Sequence, residues 1–442
     1  MTRPLAIAIV GSGIAGNVAA HRLHAAGHRI TMFEADAHVG GHAHTHRIEL
    51  GDEVQHVDTG FIVFNDRTYP HFVALLDELG VASQPSSMSF SVRNDARGLE
   101  YNGSSLGGLF AQRRNLLRPS FIGMLAEILR FHRVAPQWLQ QGGAETPLRE
   151  LLREHGFGGR FVSDYLVPMG AAIWSTDPAL MLDFPARFFV RFLHQHGMLS
   201  VNDRPTWRVV RGGSARYVER LIAPWRDRIR LNSPVQHVRR LGDGVQLQLR
   251  GRSAERFDHV FLACHADQAL QLLADPSPAE REVLGAFAYQ RNEAVLHTDT
   301  ALLPRARRAW AAWNYHVLPG AAPRVALTYQ MNILQGLRSR HTWCVTLNAG
   351  AQAIDPRRVL RRITYAHPLF TTAAVAAQQR HAEISGAPLA TLGPLTPGRT
   401  HYCGAYWRYG FHEDGVVSAL MALQRFDAAR NPHEQRDLPR VA

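Results

Sequence analysis

The alternation of apolar and polar positions begins with an unbroken apolar run, Leu5 to Val10 (LAIAIV). A short run without alternation predicts a strand covered on both faces. The spacing then turns helical through Ala19, Ala20, Leu23 and Ala26, and Gly27 stands where a helix C-terminal glycine belongs. His28 to Phe33 predicts a second strand that ends at Glu34. Gln55 to Asn65 reads as one core strand with a bulge at Gly60, and Arg67 to Gly80 as a helix with Phe72, Leu75, Leu76 and Leu79 inward. Ser87 to Tyr101 predicts an antiparallel pair, with Asn94-Asp95 and Arg97-Gly98 as turn material.

Between 105 and 140, Phe121, Met124, Leu125, Ile128, Leu129 and His132 fall on one helical face. Arg113, Arg114, Arg118, Arg130 and Arg133 flank it, with Glu127 as the opposing acid. Two readings stand: a basic amphipathic helix in a membrane interface, or a surface helix with its apolar face in the core. Thr146 to His155 predicts a short capped helix. Asp164 to Thr176 is apolar, and Met181 to Gly197 carries aromatics at helical spacing, as core or as the wall of an apolar pocket, with His194 and His196 at its C-terminal end. Strands are expected at 229–238, 244–249, 257–263, 294–298, 309–317, 324–331 and 343–347. Cys264 to Asp267 leads into a helix to Leu273, and Asp355-Pro356 opens one through Ile363. Pro388 to Arg399 reads as a linker. In Tyr402 to Leu423 a strand leads to Gly404, a loop follows, and Gly415 opens an apolar helix; from Asp427 the chain turns polar and loose.

The junction of the first strand and helix is Gly11-Ser12-Gly13-Ile14-Ala15-Gly16. Gly11 permits the tight turn, Gly13 lets a pyrophosphate approach the backbone, and Gly16 lets helix and sheet pack closely. The diphosphate then meets free N–H groups at the positive end of the helix. Glu34 can accept hydrogen bonds from an adenosine ribose with a free 2′-hydroxyl. A lone GxGxxG is a weak signal; one between a strand and a helix, with an acid at the end of the next strand, is strong.

Size and charge narrow the picture. A chain of 442 residues with 46% hydrophobic and 19% charged positions suits two intimately joined domains. A net charge of +12 favours an anionic partner. No nucleic-acid motif accompanies it, so nucleic acid is not expected. Cys264, Cys344 and Cys403 are scattered and odd in number, as in a reduced cytoplasmic chain. The chain enters its first strand without a signal peptide, and no apolar run reaches the ~20 residues that span a bilayer. His42, His44 and His46 alternate and would share a strand face, but lack a carboxylate or cysteine at ligand spacing, so no metal is expected.

With Gly40-Gly41 in EADAHVGGHAHTH, the sequence resembles the amine oxidase, phytoene desaturase and protoporphyrinogen oxidase superfamily of flavoproteins. The resemblance implies FAD. It places Gly11, Ser12, Gly13, Ala15 and Gly16 at the diphosphate, Glu34 and Ala35 at the ribose, and Gly40, Gly41 and His42 beside the diphosphate or flavin. Thr59, Gly60 and Phe61 return toward the isoalloxazine, Val235 matches an adenine-contacting valine, and Gly404, Gly415, Val416 and Val417 form the second flavin motif. Ala405 stands where an acid is usual. The implied fold is α/β: a Rossmann-type FAD-binding domain (two-layer β-β-α) from 1–80, 205–285 and 396–430, with an inserted mixed-sheet and helical substrate domain from 81–204 and 286–395, and a loose tail at 431–442.

Segments such as VDTGFIVFN, PMGAAIWST and CGAYWRYGFHEDG are similar to bacterial predicted NAD/FAD-binding oxidoreductases associated with cyclopropane-type lipid methyltransferases and with methylated, unsaturated or furan fatty acids. That implies an FAD-dependent oxidoreductase of membrane lipid acyl chains, cytoplasmic and peripheral to the inner face of the membrane, held by an anionic surface through residues 105–135. The aromatic stretches 165–193 and 310–316 would line its pocket. His412, Glu413 and Tyr406 are the candidate proton-handling groups, with helix capping as the alternative for His412 and Glu413. An amine or carotenoid-type oxidase, with Tyr406 and Trp407 as an aromatic cage, and a non-catalytic flavin-stabilised partner of a lipid methyltransferase remain as alternatives. A homodimer is the oligomeric state left open.

Overall fold

The computed structural model describes residues 3–200, 202, 204–318, 324–350, 353–388 and 398–430. Residues 389–397 of the linker expected from Pro388 to Arg399, and the tail at 431–442, lie outside them.

The first apolar run becomes the strand Ala6–Val10 at the centre of a five-stranded parallel sheet. In spatial order the strands are Ile229–Arg230, Arg29–Phe33, Ala6–Val10, His259–Leu262 and Thr400–Tyr402. Side chains alternate across a strand. Ile7 and Ile9 therefore pack on the helices Ile14–Ala25, Ala215–Ile222 and His412–Arg430. Ala8 and Val10 face an antiparallel trio, Val235–Leu241, Gly244–Leu249 and Glu255–Phe257, with the helices Ala266–Leu272 and Pro278–Gly285. Apolar surroundings on both sides explain why this run shows no alternation.

A seven-stranded mixed sheet forms the second layer system. Its order is Val359–Leu369, Ala288–His297, Cys344–Leu347, Arg324–Gln330, Trp313–Leu318, Phe90–Asn94 and Leu99–Asn102. The helices Pro119–Gln140, Leu148–Glu154, Val167–Trp174 and Ala186–Gln195 share its core.

Four expectations are corrected. Asp355-Pro356 opens only the turn Pro356–Arg358, and the rest is the edge strand Val359–Leu369, paired from Ala288↔Leu369 to His297↔Val359. The helix start signal was local; long pairing to a buried strand overrides it, and Pro368 is tolerated because the strand is at the edge. Gln55 to Asn65 is two strands, Glu53–Asp58 and Val63–Asn65, in separate sheets. Likewise 229–238 divides between the parallel sheet and the antiparallel trio. On the helix Pro119–Gln140 the buried residues are Phe121, Met124, Phe131 and Ala135, so the core claims one face, and Leu129, placed on the same face as Phe121 and Met124 by helical spacing, is exposed.

Candidate functional site: a backbone cradle and an aromatic wall

The glycine motif sits at the carboxyl end of Ala6–Val10. Gly11 has φ +102°, and a Cβ on it would lie 2.9 Å from the Ala263 carbonyl oxygen. A Cβ on Gly16 would collide with the Gly11 carbonyl. Gly13, by contrast, has open space where its Cβ would be. Gly13 is also the N-cap of Ile14–Ala25, a helix with no side-chain cap and no acid in its first turn. The first N–H groups of that turn are thus left for an anion. Gly41, at φ +56°, packs so close that its Cβ would be 3.2 Å from the Gly13 Cα. The Gly40 N–H donates to the Ser12 carbonyl at 3.1 Å.

Glu34 Oε2 accepts from the Ser12 N–H at 2.8 Å and the Ser12 hydroxyl at 2.5 Å, and Oε1 accepts from the Asp36 N–H at 2.9 Å. A carboxylate has about four acceptor sites, so Glu34 braces the loop and keeps capacity for a ribose. Ala35 is exposed beside it, and Ala15 is buried within the helix. The Ser233 N–H donates to the Glu34 carbonyl at 2.8 Å, which brings the half-buried Val235 to this end of the cradle.

The other end is built by the last strand and the last described helix. Gly404 donates its N–H to Ser418 Oγ at 2.8 Å, and a Cβ on it would strike the Tyr406 ring. The helix His412–Arg430 starts three residues before Gly415, whose N–H already donates to the Phe411 carbonyl at 3.1 Å. Gly415 therefore does not open the helix. Its role is contact: a Cβ there would be 2.5 Å from Ile14 Cγ2. Two helix starts meet with only the Ile14 side chain between them, and Val416 and Val417 are buried just behind.

Thr59, Gly60 and Phe61 fold back over His42. The Phe61 N–H donates to the His42 carbonyl at 2.7 Å, and a Cβ on Gly60 would collide with that carbonyl. Phe61 stacks on the His412 ring at 3.5 Å between centroids and 3° between planes. His412 Nε2 meets the Tyr217 hydroxyl at 2.6 Å, and burial pushes its pKa down to about 3. The other two proton-handling candidates lie elsewhere. Glu413 accepts from the N–H groups of His71 and Phe72 and from His71 Nδ1, which caps the helix Pro70–Glu78. Tyr406 packs against Phe287 and Trp407.

His42, His44 and His46 do not share a face. His44 stacks on His38 at 4.1 Å and lies tilted against His46 at 4.0 Å, whereas His42 turns to Tyr365 at 4.7 Å and His367 at 5.3 Å. The pKa of His42 is driven well below its usual value by burial first, then by His367, His265 and His412. His367 is held at about 4, again chiefly by burial, with its Nδ1 2.6 Å from the Asn292 amide nitrogen. The Tyr365 hydroxyl is 2.8 Å from Thr59 Oγ. Tyr365 and His367 lie just past the helix expected to end at Ile363, and Asn292 just before the strand expected at 294–298, so no expected element includes any of the three. Tyr365 and His367 alternate, and that period-2 spacing was the available signal.

A dinucleotide with a ring system fits this arrangement. The cradle is closed to a Cβ and open at Gly13, its helix is uncapped, and the buried His42 Nε2 has no partner among the described residues.

Phe411 joins this end to a wall of rings. It lies 5.1 Å from Phe192 and 6.5 Å from Trp174. Phe188 stacks on Phe370 at 5.0 Å and approaches Tyr409 at 4.6 Å. The Trp174 indole N–H donates to the Tyr409 carbonyl at 3.1 Å. The stretch 165–193 thus reaches the site. In the stretch 310–316, the Trp310 indole donates to the Pro304 carbonyl and Trp313 packs on Tyr329.

Comparison with known proteins gives consistent results. Residues 14–301 match the sequence family described as flavin containing amine oxidoreductase. An L-amino-acid oxidase of Siganus canaliculatus is 23% identical over 326 residues, which are 66% of this chain and 56% of that protein. The chain therefore spans little more than half the length of that relative. A flavin-dependent L-tryptophan oxidase of Lentzea aerocolonigenes is 35% identical over 75 residues, 17% of this chain and 16% of that one. Among solved structures, a putrescine oxidase superposes with TM-score 0.67 at 16% identity, covering 97% of this chain and 100% of its own. A CLA-producing fatty acid isomerase from P. acnes gives TM-score 0.67 at 15% identity, covering 96% and 99%. These last two likenesses establish the shared fold.

Proposed function

The chain belongs to the flavin containing amine oxidoreductases, with FAD as its cofactor, and from that premise we propose that it oxidises the acyl chains of membrane lipids. The wall around Phe411 carries the reading. Trp174, Phe188, Phe192, Phe370 and Tyr409 present rings, and Phe188, Phe192 and Phe370 carry no hydrogen-bonding group. The ionisable side chains nearest the ring-binding end, His42, His367 and His412, are held neutral by burial. An apolar chain loses nothing on entering such surroundings, whereas an ammonium would pay desolvation that the ring faces offset only in part. Relatives with this fold include a fatty acid isomerase as well as a putrescine oxidase, so the fold accommodates both substrate classes.

Bound FAD would supply the hydride-accepting chemistry. The chain's own part is positioning. The glycine cradle would bind the diphosphate, the aromatic wall would orient an acyl carbon and exclude water, and neutral His412, its Nε2 2.6 Å from the Tyr217 hydroxyl, would hold Phe61 in place through its stacked ring. An amine oxidase is the second reading, favoured by the L-amino-acid oxidase likeness.

The test is anaerobic. Phospholipids with unsaturated or methylated acyl chains should bleach the visible flavin band of the FAD-loaded protein, while putrescine and L-amino acids should not. Bleaching by the amines alone would replace the acyl reading with the second one. A band that no compound bleaches would leave a flavin-stabilised partner role.

A further inference from the structure

We propose that residues 106–133 form a surface that docks on an anionic lipid bilayer, with leucines as the inserted tips. This surface is separate from the site above and does not depend on which substrate is oxidised. Among the described residues, eight large hydrophobics are exposed, and five are Leu106, Leu116, Leu117, Ile122 and Leu129. Leu117 is 87% exposed and Leu106 77%. The helix Pro119–Gln140 already buries Phe121, Met124, Phe131 and Ala135, so these tips are not its core face. Ile122 and Leu129 are seven residues apart, two turns along one side, and Arg133 continues that line.

The tips are held out by a braced scaffold. The turn Arg113–Leu117 is anchored by buried Asn115, whose amide donates to the Glu100 carbonyl at 3.2 Å. Arg114 and Arg118 both donate to the Gly98 carbonyl, at 2.6 and 3.3 Å. Arg130 is spent inward on the His155 and Gly156 carbonyls, and Glu127, the acid of this stretch, accepts from the Gly158 N–H. The exposed charge that remains is positive: Arg113, Arg114 and Arg133, with Arg307 and Arg308 in the turn against Leu106–Leu109.

That complementarity selects an anionic surface. Aliphatic tips separated by arginines suit a bilayer better than a protein partner, whose hot spots favour aromatic anchors over leucine.

The experiment is co-sedimentation of the FAD-loaded protein with vesicles of phosphatidylcholine alone or mixed with phosphatidylglycerol. Binding is expected to the mixed vesicles and to weaken with salt. Leu116→Asp with Leu117→Asp should lower partitioning at least tenfold, and Arg113→Glu should lower it about fivefold or more. Both variants should keep the wild-type FAD absorbance and melting temperature, since the altered side chains are exposed. No binding by the wild type, or unchanged binding by the leucine variant, would overturn the proposal. So would a leucine variant that changes the protein's oligomeric state, because the face would then belong to a second copy of the chain.

Discussion

The two ends of the site are made of different material. The diphosphate end is backbone: Gly11, Gly16 and Gly41 matter because they lack a Cβ, and neighbouring atoms stand where one would be. The wall beyond Phe411 is side chain, with Trp174, Phe188, Phe192 and Phe370 in ring contact. At Gly11 and Gly16 the cradle accepts one residue type, because a Cβ there meets backbone atoms that cannot move aside. A wall of rings holds its volume collectively and can repack. Substitutions should therefore separate the two ends by both size and kind of effect.

The largest effect is expected for Gly16→Ala. Its Cβ must displace the Gly11 carbonyl, so stability should fall by roughly 3 kcal/mol or more and the purified protein should lack the flavin absorption band. A yellow Gly16→Ala protein with an unchanged melting temperature would break the contrast.

Acid comes next, and it acts on the side-chain end. His44, His46 and His367 are held at about 4 and His412 at about 3, chiefly by burial. Their folded pKa values lie below the unfolded 6.5, so the stability they contribute is present above pH 6.5 and is lost as pH falls toward 4. For fully buried His367 this is about 3 kcal/mol. Asp58 and Asp414 run oppositely, raised by burial to about 6 and about 7. Their contribution is full below 3.8 and is lost as pH rises through those values. The histidines outnumber them, so the melting temperature should decline from pH 6.5 to 4. A flat profile over that window would mean that the imidazoles are not buried neutral.

The smallest effect is expected for Phe188→Leu. Stability should drop by about 1–2 kcal/mol, with flavin content unchanged and the KM for the oxidised substrate shifted. Loss of flavin from this variant would show that the wall and the cradle are coupled.

The same division decides what was legible in the sequence. The cradle is encoded by spacing: GxGxxG, Glu34 and Gly40-Gly41 carry their geometry with them. The order and type of most elements followed from apolar period. Tertiary pairing was not readable. Asp355-Pro356 carries a genuine helix-start signal, yet the register with Ala288–His297 makes the next eleven residues a strand. Tyr365 and His367 lie on the part of that strand beyond Ile363, where no element is expected from the sequence. Gly415 misled in a different way: glycine before an apolar run suggested a helix start, whereas it marks a close approach to Ile14. The long helix was ambiguous between core and membrane because it has both a buried face and exposed leucines.

The contact between Gly415 and Ile14 also bears on how the protein is made. The two residues are some 400 positions apart, so half of the cradle leaves the ribosome long before the other half. At roughly 5–20 residues per second the interval is on the order of 20–80 s. During that time the nascent chain exposes the glycine loop without the helix that closes it, and a dinucleotide entering early would meet an incomplete seat. Retention of the cofactor thus reports that translation has passed residue 415 and that the far end of the chain has returned to the first strand.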